Sequence, residues 1–299
     1  MVHVVIMKNR LIIQGPYYNE NNISTKKSIE SAVNSRLFSS ICLSTYENPE
    51  LNNLKNFNIE ILINDDPGCK SYDPYRDRYN NNNRQRVTLT SAIIEDKFDF
   101  TMKIRSDCYI KDFNKLESVI NRFMLSSKDF LFCDTTSVDH KISYQRILYH
   151  LSDWVIGFKK SQDTLIKSLP NEDEEKNTKW VLNLSGPLKE EFRLKKGSTR
   201  YGTEQWIMLN IFQRNNFPLK HSYDYTESSK DLYEKDLLKA MCVPLYKMGI
   251  RSMKYTKIHY PHYDRYENYL SMSEKIIYKV IGILFKIALN TYAKLRGYN

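Results

Sequence analysis

Residues 102–110, MKIRSDCYI, decide how the first half of this chain is interpreted. The apolar residues predict a short strand, but the triplet Arg105-Ser106-Asp107 interrupts it. Charged side chains rarely lie inside a strand unless they are paired or carry a function. Two interpretations are therefore open. Either Asp107 is a carboxylate of a metal or phosphate site, or the triplet is a strand end that reaches solvent.

The segments before this stretch alternate between strand-like and helix-like patterns. Apolar runs bounded by turn residues predict strands, and capping residues followed by apolar residues on one face predict helices. The predicted strands are 11–16, 40–45, 59–63 and 100–104, and the predicted helices run from Ser24 or Thr25 to about Arg36 and from Arg84 to about Lys97. This order favours an α/β fold with a Rossmann-type, mainly parallel sheet flanked by helices.

Polar residues or glycine follow the ends of four predicted strands. Ligands of parallel α/β sheets bind beyond the carboxyl ends of the strands, so these positions are candidates for a binding site. The four are Gln14-Gly15, Ser44-Thr45, Asn64-Asp65-Asp66 and Arg105-Ser106-Asp107. An ordinary turn explains the second and third well. It explains the fourth poorly, because the extended pattern continues through residues 108–110.

The chain is basic. Its 45 lysine and arginine residues against 35 aspartate and glutamate residues give a formal net charge of +10 over 299 residues. A basic balance suits nucleic acid, an anionic membrane surface or phosphorylated small molecules. No nucleic-acid-binding motif occurs, so we expect no nucleic-acid partner.

The cysteines indicate a reducing compartment. Their number is odd and no two have Cys-x-x-Cys spacing, which argues against a disulfide framework and against a cysteine-based zinc site. The N-terminus has no small-residue cleavage site of a secretory signal. We therefore expect a cytoplasmic protein. The cysteines are Cys42, Cys69, Cys108, Cys133 and Cys242.

Residues 273–295 predict one long C-terminal helix. Lys275, Lys279 and Lys286 fall on one stripe, and apolar residues cover most of the remaining surface. Such a helix suits the interface of an anionic membrane; docking on its own domain or on a second copy is the alternative. No run of about 18 uncharged apolar residues predicts a membrane span. We expect a domain at 1–262 and an amphipathic helix within 263–299, peripheral on the inner face of the cytoplasmic membrane.

Seven short motifs occur in the order that they have in a known family. They are Ile13-Gln14-Gly15-Pro16, Leu43-Ser44-Thr45-Tyr46, Asn64-Asp65-Asp66-Pro67-Gly68, Asn83-Arg84-Gln85, Lys103-Ile104-Arg105-Ser106-Asp107, Ser152-Asp153-Trp154 with Phe158, and Thr203-Glu204-Gln205. In these motifs, over roughly residues 10–210, the chain resembles the WavE-type family associated with lipopolysaccharide and surface-polysaccharide synthesis, and more broadly GT-A-type glycosyltransferases. The resemblance implies a GT-A-like fold with a nucleotide-binding half at about 1–115 and an acceptor half at about 116–262.

The resemblance also implies a reaction. A sugar would move from a nucleotide-sugar donor to a growing, often lipid-linked glycan of lipopolysaccharide, O-antigen or capsule. Strand-end residues and a helix start would then form the donor side. These candidates are Gln14, Gly15, Ser44, Thr45, Asp65, Arg84, Arg105 and Asp107. Glycine lets the backbone approach a nucleotide closely, and glutamine offers a donor and an acceptor to a base.

The sequence departs from the GT-A pattern at the metal site. GT-A enzymes typically carry an Asp-x-Asp triplet that binds Mg²⁺ or Mn²⁺, but Arg105 replaces the first aspartate here. In one interpretation Asp107 binds the cation while Arg105 binds phosphate. In the other, Arg105 pairs with Asp107 and no metal is used. His259 is a candidate late ligand because imidazole binds metals well, with a surface or structural role as the alternative.

Two carboxylates are candidates for the catalytic step. Glu204 lies at a predicted helix start, where the helix dipole favours an ionised carboxylate, and it fits the general base of an inverting transfer. An ordinary first-turn glutamate is the alternative. Asp153 is the rival base or an anchor for the acceptor. If the reaction retains configuration, Glu204 would orient the substrate rather than deprotonate it.

Two other classes of function stay open. A nucleotidyltransferase of sugar activation would need a glycine-rich phosphate loop after the first strand, where Gln14-Gly15-Pro16 offers one glycine. A non-catalytic, membrane-associated scaffold would keep the triplet at 105–107 as a decayed site.

Overall fold

The computed structural model describes residues 7–20, 23–68, 72–73, 78–79, 81–133, 148–149, 151–173, 185–186, 201, 203–213, 219 and 226–253. The strands in these ranges are β1 (Asn9–Gln14), β2 (Asn19–Glu20), β3 (Ile23–Ser24), β4 (Ser40–Tyr46), β5 (Glu60–Asn64), β6 (Tyr72–Asp73), β7 (Arg78–Tyr79), β8 (Phe100–Arg105), β9 (Cys108–Ile110), β10 (Phe130–Cys133), β11 (Ser152–Lys159), β12 (Ala240–Val243) and β13 (Ile250–Ser252). The α-helices are α1 (Thr25–Ser35), α2 (Asn82–Thr90), α3 (Phe113–Leu125), α4 (Asp163–Lys167), α5 (Thr203–Gln213) and α6 (Glu227–Leu237), and 3₁₀ turns occupy Pro49–Leu54 and Lys160–Gln162.

Seven of the strands form one sheet in the order β12-β10-β11-β8-β1-β4-β5. Strand β11 is antiparallel to its neighbours β10 and β8, and the other four neighbouring pairs are parallel. The prediction of an α/β fold with a mainly parallel sheet flanked by helices is therefore confirmed. The remaining described strands form three two-stranded ladders, β2–β3, β6–β7 and β9–β13.

The central strand β1 is buried on both faces, which explains its continuous apolar sequence. Leu11 and Ile13 face one apolar cluster, to which α1 and α3 contribute. Ile12 faces the other cluster, to which α2 and α5 contribute. Helices thus cover both sides of the sheet, and the carboxyl ends of β1, β4 and β8 share one edge.

Local sequence signals set the starts of two helices on the first face. The Ser24 hydroxyl accepts a 3.4 Å hydrogen bond from the Lys27 N–H, which caps α1 as the sequence predicts. The Asp112 carboxylate accepts a 3.1 Å bond from the Lys115 N–H and caps α3. Helix α1 ends at Ser35, and the C-cap residue Arg36 has a left-handed backbone with φ 55°.

Helix α2 is shorter than the sequence predicts. The pattern predicts a helix to about Lys97, but α2 ends at Thr90. The Ala92 carbonyl accepts a 3.2 Å hydrogen bond from Arg10 Nε. Asp96 adopts φ 59°, which a right-handed helix cannot include. The segment after Thr90, which the sequence predicts to be helical to about Lys97, is therefore not part of the helix.

The stretch at 102–110 is not one continuous strand. Strand β8 ends at Arg105, and the chain turns at Ser106 and Asp107. It then continues as β9, which pairs with β13 outside the main sheet, and the Met253 N–H donates to the Asp107 carbonyl at 2.8 Å. The charged triplet is thus a strand end followed by a turn, at the edge where ligands of such folds bind.

The predicted amphipathic helix at 273–295 and residues 263–299 as a whole lie outside the described residues, so the domain boundary at 262 stays a prediction. The main sheet draws its strands from residues 9 to 243 and therefore includes both predicted halves. None of the helices in the described ranges has the length and apolar character that crossing a membrane requires.

Candidate active site

A cavity of about 420 Å³ opens at the carboxyl ends of β1 and β8. The first turns of α2 and the start of β11 complete its wall. The described residues that line it are Gln14, Gly15, Pro16, Tyr18, Tyr46, Asp66, Asn81, Arg84, Gln85, Thr88, Arg105, Ser106, Asp107 and Asp153. Six of the ten predicted catalytic and donor-side residues are in this set. They are Gln14, Gly15, Arg84, Arg105 and Asp107 from the donor side and the predicted catalytic residue Asp153.

Arg105 is clamped to Asp107 in the cavity wall. Its Nε and Nη2 donate to the two carboxylate oxygens of Asp107 at 3.0 and 2.9 Å. This bidentate geometry is the strong form of an arginine–carboxylate pair. The Asp107 side chain is 1% exposed, whereas that of Arg105 is 23% exposed. Arg105 is therefore the member of the pair that a ligand in the cavity can reach.

Asp153 brings two cations together. Its Oδ2 lies 3.7 Å from Arg105 Nη1 and 3.9 Å from Lys103 Nζ, and the Lys103 ammonium also donates to the Asp153 backbone carbonyl. Lys103 and Asp153 are each 1% exposed. We call Lys103, Arg105, Asp107 and Asp153 the charge cluster. Its two cations and two carboxylates balance, which is what permits their burial.

Burial and pairing shift the pKa values of the two cations in opposite directions. Desolvation lowers the pKa of Lys103, and the nearby Asp153 carboxylate only partly opposes this. Burial alone would also lower the pKa of Arg105, but Asp153 and Asp107 raise it above its ordinary value. Arg105 is therefore a permanent cation on the cavity wall.

Gly15 lets β1 and β8 approach each other closely at the cavity. Its backbone has φ 130°, and an added Cβ would lie 2.7 Å from Ser106 Oγ. The Ser106 N–H donates to the Gln14 carbonyl at 2.8 Å, and its hydroxyl donates to the Pro16 carbonyl at 2.8 Å. Only glycine fits such a conformation at this distance without strain. The turn after β1 and the turn after β8 thus form one hydrogen-bonded unit.

Gln14 lies in the cavity wall but holds α2 rather than pointing freely inward. Its Nε2 donates to Thr88 Oγ1 at 2.7 Å and to the Gln85 carbonyl, and the residue is 4% exposed. The predicted contact of Gln14 with a base stays a prediction. What the structure shows is a tether between the end of β1 and α2.

Arg84 also lines the cavity, where it is paired with Asp66. Its Nε and Nη2 donate to the two oxygens of Asp66 at 2.7 and 2.5 Å, and both side chains are about 40% exposed, at 38% and 43%. The hydrogen bonds from Arg84 lower the pKa of Asp66, and the Gly68 N–H contributes to the same shift. The neighbouring Asp65, which the sequence analysis names as a candidate, is not among the described residues that line the cavity.

Three other predicted residues lie apart from the cavity lining. Ser44 and Thr45 are fully buried within β4. Asn64 Nδ2 donates to Ser44 Oγ at 3.0 Å, so this serine joins β4 to the end of β5. Glu204, in the first turn of α5, is half-buried and is not among the described lining residues. The structure thus brings Asp153 to the charge cluster and does not bring Glu204 there.

Some residues of the cavity lining and of the charge cluster are not predicted from the sequence. Lys103 carried a usable signal, since a lysine in the middle of an apolar strand is as unusual as the arginine two residues later. Tyr18 and Tyr46 gave none, because tyrosines are numerous in this chain, 22 in all. Asp66 lines the cavity where Asp65 was predicted to do so. Which of the two aspartates reaches the cavity depends on the backbone geometry before Gly68, and the residue types alone do not determine that geometry.

The described residues do not provide a ready cation site. No group of three or more His, Cys, Asp or Glu residues in metal-binding geometry occurs among them. Both oxygens of Asp107 already accept from Arg105. His259 lies outside the described residues, so binding of Mg²⁺ or Mn²⁺ by Asp107 and His259 stays a prediction from the sequence.

Comparison with solved structures finds distant likenesses. A CMP:2-keto-3-deoxy-manno-octonic acid synthetase complexed with CTP has 8% identity and a TM-score of 0.36, covering 66% of this chain and 93% of that chain. A cytidylyltransferase from Leptospira borgpetersenii has 14% identity and a TM-score of 0.35, covering 64% and 74%. Glucosyl-3-phosphoglycerate synthase from Mycobacterium tuberculosis, in complex with Mn²⁺, UDP and glucosyl-3-phosphoglycerate, has 11% identity and a TM-score of 0.34, covering 55% and 60%. These values are too low to assign a reaction to this chain.

The family comparison is more specific. No curated protein sequence matches this chain. A family model described as WavE lipopolysaccharide synthesis matches residues 10–247, which include the seven-stranded sheet and every described residue of the cavity. Most of the chain is covered, in agreement with the motifs at 13–16 and 103–107. The chain belongs to the WavE lipopolysaccharide synthesis family.

Proposed function

We propose that this protein is a nucleotide-sugar-dependent glycosyltransferase that adds a sugar to a growing, lipid-linked glycan of the bacterial surface. Membership in a lipopolysaccharide synthesis family supports the substrate class. The observation that carries the reaction type is Arg105, a permanent cation, beside the buried carboxylate of Asp153 in a cavity at the carboxyl ends of β1 and β8. In α/β folds this edge is where nucleotides bind.

The cavity residues meet the demands of glycosyl transfer from a nucleotide. The departing phosphates need cationic charge that is already in position, and Arg105 and Arg84 both line the cavity and can supply it. Gly15 lines the cavity and lets the turns after β1 and β8 pack closely, which holds Arg105 at the cavity wall. Asp153 is the carboxylate that we place at the acceptor, as its anchor or as the base. Glu204 stays the sequence-based candidate for the base.

A nucleotidyltransferase of sugar activation is the second candidate, and it would use the same edge of the sheet. It would bind a nucleoside triphosphate and release pyrophosphate. The turn after β1 contains only Gly15, so the glycine-rich phosphate loop expected of that class is not present there. A scaffold that has lost catalysis would bind no nucleotide at all. The two alternatives therefore differ from our proposal in the ligand that they bind.

Thermal-shift measurements with a nucleotide panel test the proposal. UDP, GDP, CMP, dTDP and their sugar conjugates are added in turn, with inorganic phosphate as the control for a general anion effect. A ligand at 100 times its Kd stabilises the folded state by about 2.7 kcal/mol, so we expect at least one nucleotide sugar to raise Tm by several degrees. If no nucleotide in the panel shifts Tm beyond the phosphate control, the proposed function is wrong.

We also propose that the lipid-linked acceptor is reached at the inner face of the cytoplasmic membrane, through residues 273–295. The net charge of +10 and the lysine-edged apolar pattern of this segment support attachment to anionic lipid. Removal of residues 273–299 should shift the protein from the membrane fraction to the supernatant on sedimentation. The matched control changes Lys275, Lys279 and Lys286 to glutamine and should release it in part. Sedimentation of the truncated protein with membranes at the level of the full chain would rule out this role.

A further inference from the structure

We propose that the cavity binds the diphosphate of its nucleotide through Arg105, without a divalent cation. This inference rests on the proposed function and concerns the same site. It selects the second of the two interpretations that the triplet Arg105-Ser106-Asp107 leaves open. The contacts of the charge cluster and the charge count around it carry the argument.

The first step is that Arg105 occupies the position of a metal on Asp107. Mg²⁺ binds carboxylate oxygens at about 2.0–2.1 Å and is usually held by one or two carboxylates. Both oxygens of Asp107 accept hydrogen bonds from one guanidinium, at 3.0 and 2.9 Å. With Asp107 only 1% exposed, a cation could reach these oxygens only by displacing Arg105. The residue that departs from the Asp-x-Asp pattern is thus the one that blocks the metal.

The second step is the charge balance. The other carboxylate near Arg105 is Asp153, and its Oδ2 already has Arg105 at 3.7 Å and the buried Lys103 at 3.9 Å. Arg105, a permanent cation, thus lies within 4 Å of both carboxylates of the charge cluster, at 2.9 Å from Asp107 Oδ2 and 3.7 Å from Asp153 Oδ2. A dication bound to either carboxylate would lie beside this fixed positive charge, which opposes its binding.

The third step is that Arg105 retains donors for a ligand. Its Nη1 lies 3.7 Å from Asp153, beyond hydrogen-bond distance, while Nε and Nη2 hold Asp107. Arg105 is the one member of the charge cluster that is substantially exposed, at 23%. A guanidinium held rigidly by one carboxylate can present its remaining N–H groups to phosphate oxygens with little loss of entropy. Arg105 is thus preorganised for an anion.

Arg84 provides a second cation in the cavity lining. Its partner Asp66 is 43% exposed, and such surface pairs contribute little stability, so an incoming phosphate can replace the carboxylate at small cost. The two arginines lie in one cavity of about 420 Å³, which is of the size that encloses small ligands. Together they supply the positive charge that a divalent cation supplies in metal-dependent sites.

Isothermal titration calorimetry tests the inference. The probes are UDP, GDP, CDP and dTDP with the matching monophosphates, each titrated into the full chain in excess EDTA and in excess MnCl₂. We expect the favoured diphosphate to bind equally well in both buffers and more tightly than its monophosphate. Arg105→Gln should weaken binding of the diphosphate about tenfold or more, which corresponds to the loss of a charge-assisted hydrogen bond. It should change the affinity for the monophosphate much less.

Two variants keep the test decisive. Arg105→Lys preserves the charge and leaves Asp107 paired, so it should fold even if Arg105→Gln does not. It should still weaken binding of the diphosphate, because an ammonium group lacks the planar set of donors of a guanidinium. Arg122→Gln removes an exposed arginine of α3 that is outside the cavity lining and should bind as the wild type does. Binding that requires MnCl₂, or wild-type affinity in both Arg105 variants, overturns the inference while the proposed function stands. If no probe binds in either buffer, the proposed function and this inference both fail.

Discussion

The carboxylate of Asp153 is buried beside two cations. Its surroundings therefore differ from those of Glu204, the other candidate for the catalytic step. Arg105 and Lys103 both lie within 4 Å of its Oδ2, at 3.7 and 3.9 Å. Glu204 is half-buried at the start of α5 and apart from the described cavity lining. The two candidate carboxylates should therefore respond differently to removal of their charge.

Asp153→Asn should reduce both activity and stability. Loss of an acid–base or anchoring group slows transfer by about 100-fold or more. Leaving Lys103 and Arg105 without this anion lowers the free energy of unfolding by about 3 kcal/mol, the usual cost of breaking a buried pair. Steady-state kinetics with the donor that binds, and urea unfolding monitored by fluorescence, measure the two effects. A variant with wild-type kcat would remove Asp153 from the reaction.

Glu204→Gln tests whether Glu204 is the general base. Turnover should be abolished while donor binding, measured by calorimetry, is unchanged. Glu227→Gln is the matched control, since Glu227 also lies in the first turn of a helix, α6, and outside the cavity lining. Turnover that survives in Glu204→Gln shows that the base lies elsewhere.

Gly15→Ala should destabilise the protein more than Gly68→Ala. Both glycines have positive φ, 130° and 73°, so an alanine is strained at either position by about 1 kcal/mol. A Cβ at Gly15 also lies 2.7 Å from Ser106 Oγ, whereas nothing lies within 4 Å of one at Gly68. Overpacking adds about 1–3 kcal/mol at Gly15. Equal unfolding free energies of the two variants in urea would contradict the close contact between the β1 and β8 turns.

Which residues reach the site could be predicted only in part. Gln14 and Arg105 were predicted because each ends an apolar run, and parallel pairing places them side by side. Pairing of Arg105 with Asp107, two residues away, was one of the two interpretations that the sequence allows. The other two partners were not predictable, because Gln14 contacts Thr88 of α2 across 74 residues and Arg105 lies beside Asp153 across 48 residues of sequence.

At the scale of elements, strands were easier to predict than the ends of helices. Apolar runs located β1, β4 and β8 because each is buried on both faces or nearly so. The end of α2 depends on a hydrogen bond from Arg10 of β1 to the Ala92 carbonyl, which no local pattern reveals. Likewise, β9 is extended only through its pairing with β13, about 140 residues later in the chain.

Helix α4 begins at a buried acid whose charge costs stability. Asp163 is 2% exposed, and burial raises its pKa to about 6, although the Asp96 N–H donates to it at 3.2 Å and the nearby Asp96 and Glu95 charges add to the rise. The unfolded value is about 3.9. Between these two pKa values the folded state binds more protons than the unfolded state, so stability falls as pH rises through this window and is constant above it.

Asp163→Asn should therefore stabilise the protein at neutral pH. We expect a gain of about 1–2 kcal/mol near pH 7.5 and little change near pH 4.5, measured by urea unfolding. Asp231→Asn, which removes one negative charge from an exposed aspartate of α6, is the control for the change in net charge. A gain of the same size at both pH values would mean that the effect of Asp163 is not one of charge.

At the scale of the whole molecule, the sheet order joins the two predicted halves. Strand β11, which carries Asp153, lies antiparallel beside β8, which ends in Arg105. The order β12-β10-β11-β8-β1-β4-β5 could not be predicted from sequence, because apolar runs locate strands without naming their neighbours. This order is what places a carboxylate from the second half against the donor-side residues of the first.

The central claim is that this cavity transfers sugar from a nucleotide. Product analysis by mass spectrometry, with the full chain, the nucleotide sugar that binds and membranes that contain the lipid-linked acceptor, tests it most directly. A parallel reaction contains the corresponding nucleoside triphosphate and sugar phosphate in place of the nucleotide sugar. We predict release of the free nucleotide and a mass gain of one sugar residue on the acceptor in the first reaction, and no pyrophosphate in the second, with both products of the first lost in Arg105→Gln and retained in Arg122→Gln. Formation of pyrophosphate in the second reaction, with no sugar added to any acceptor in the first, would contradict the account.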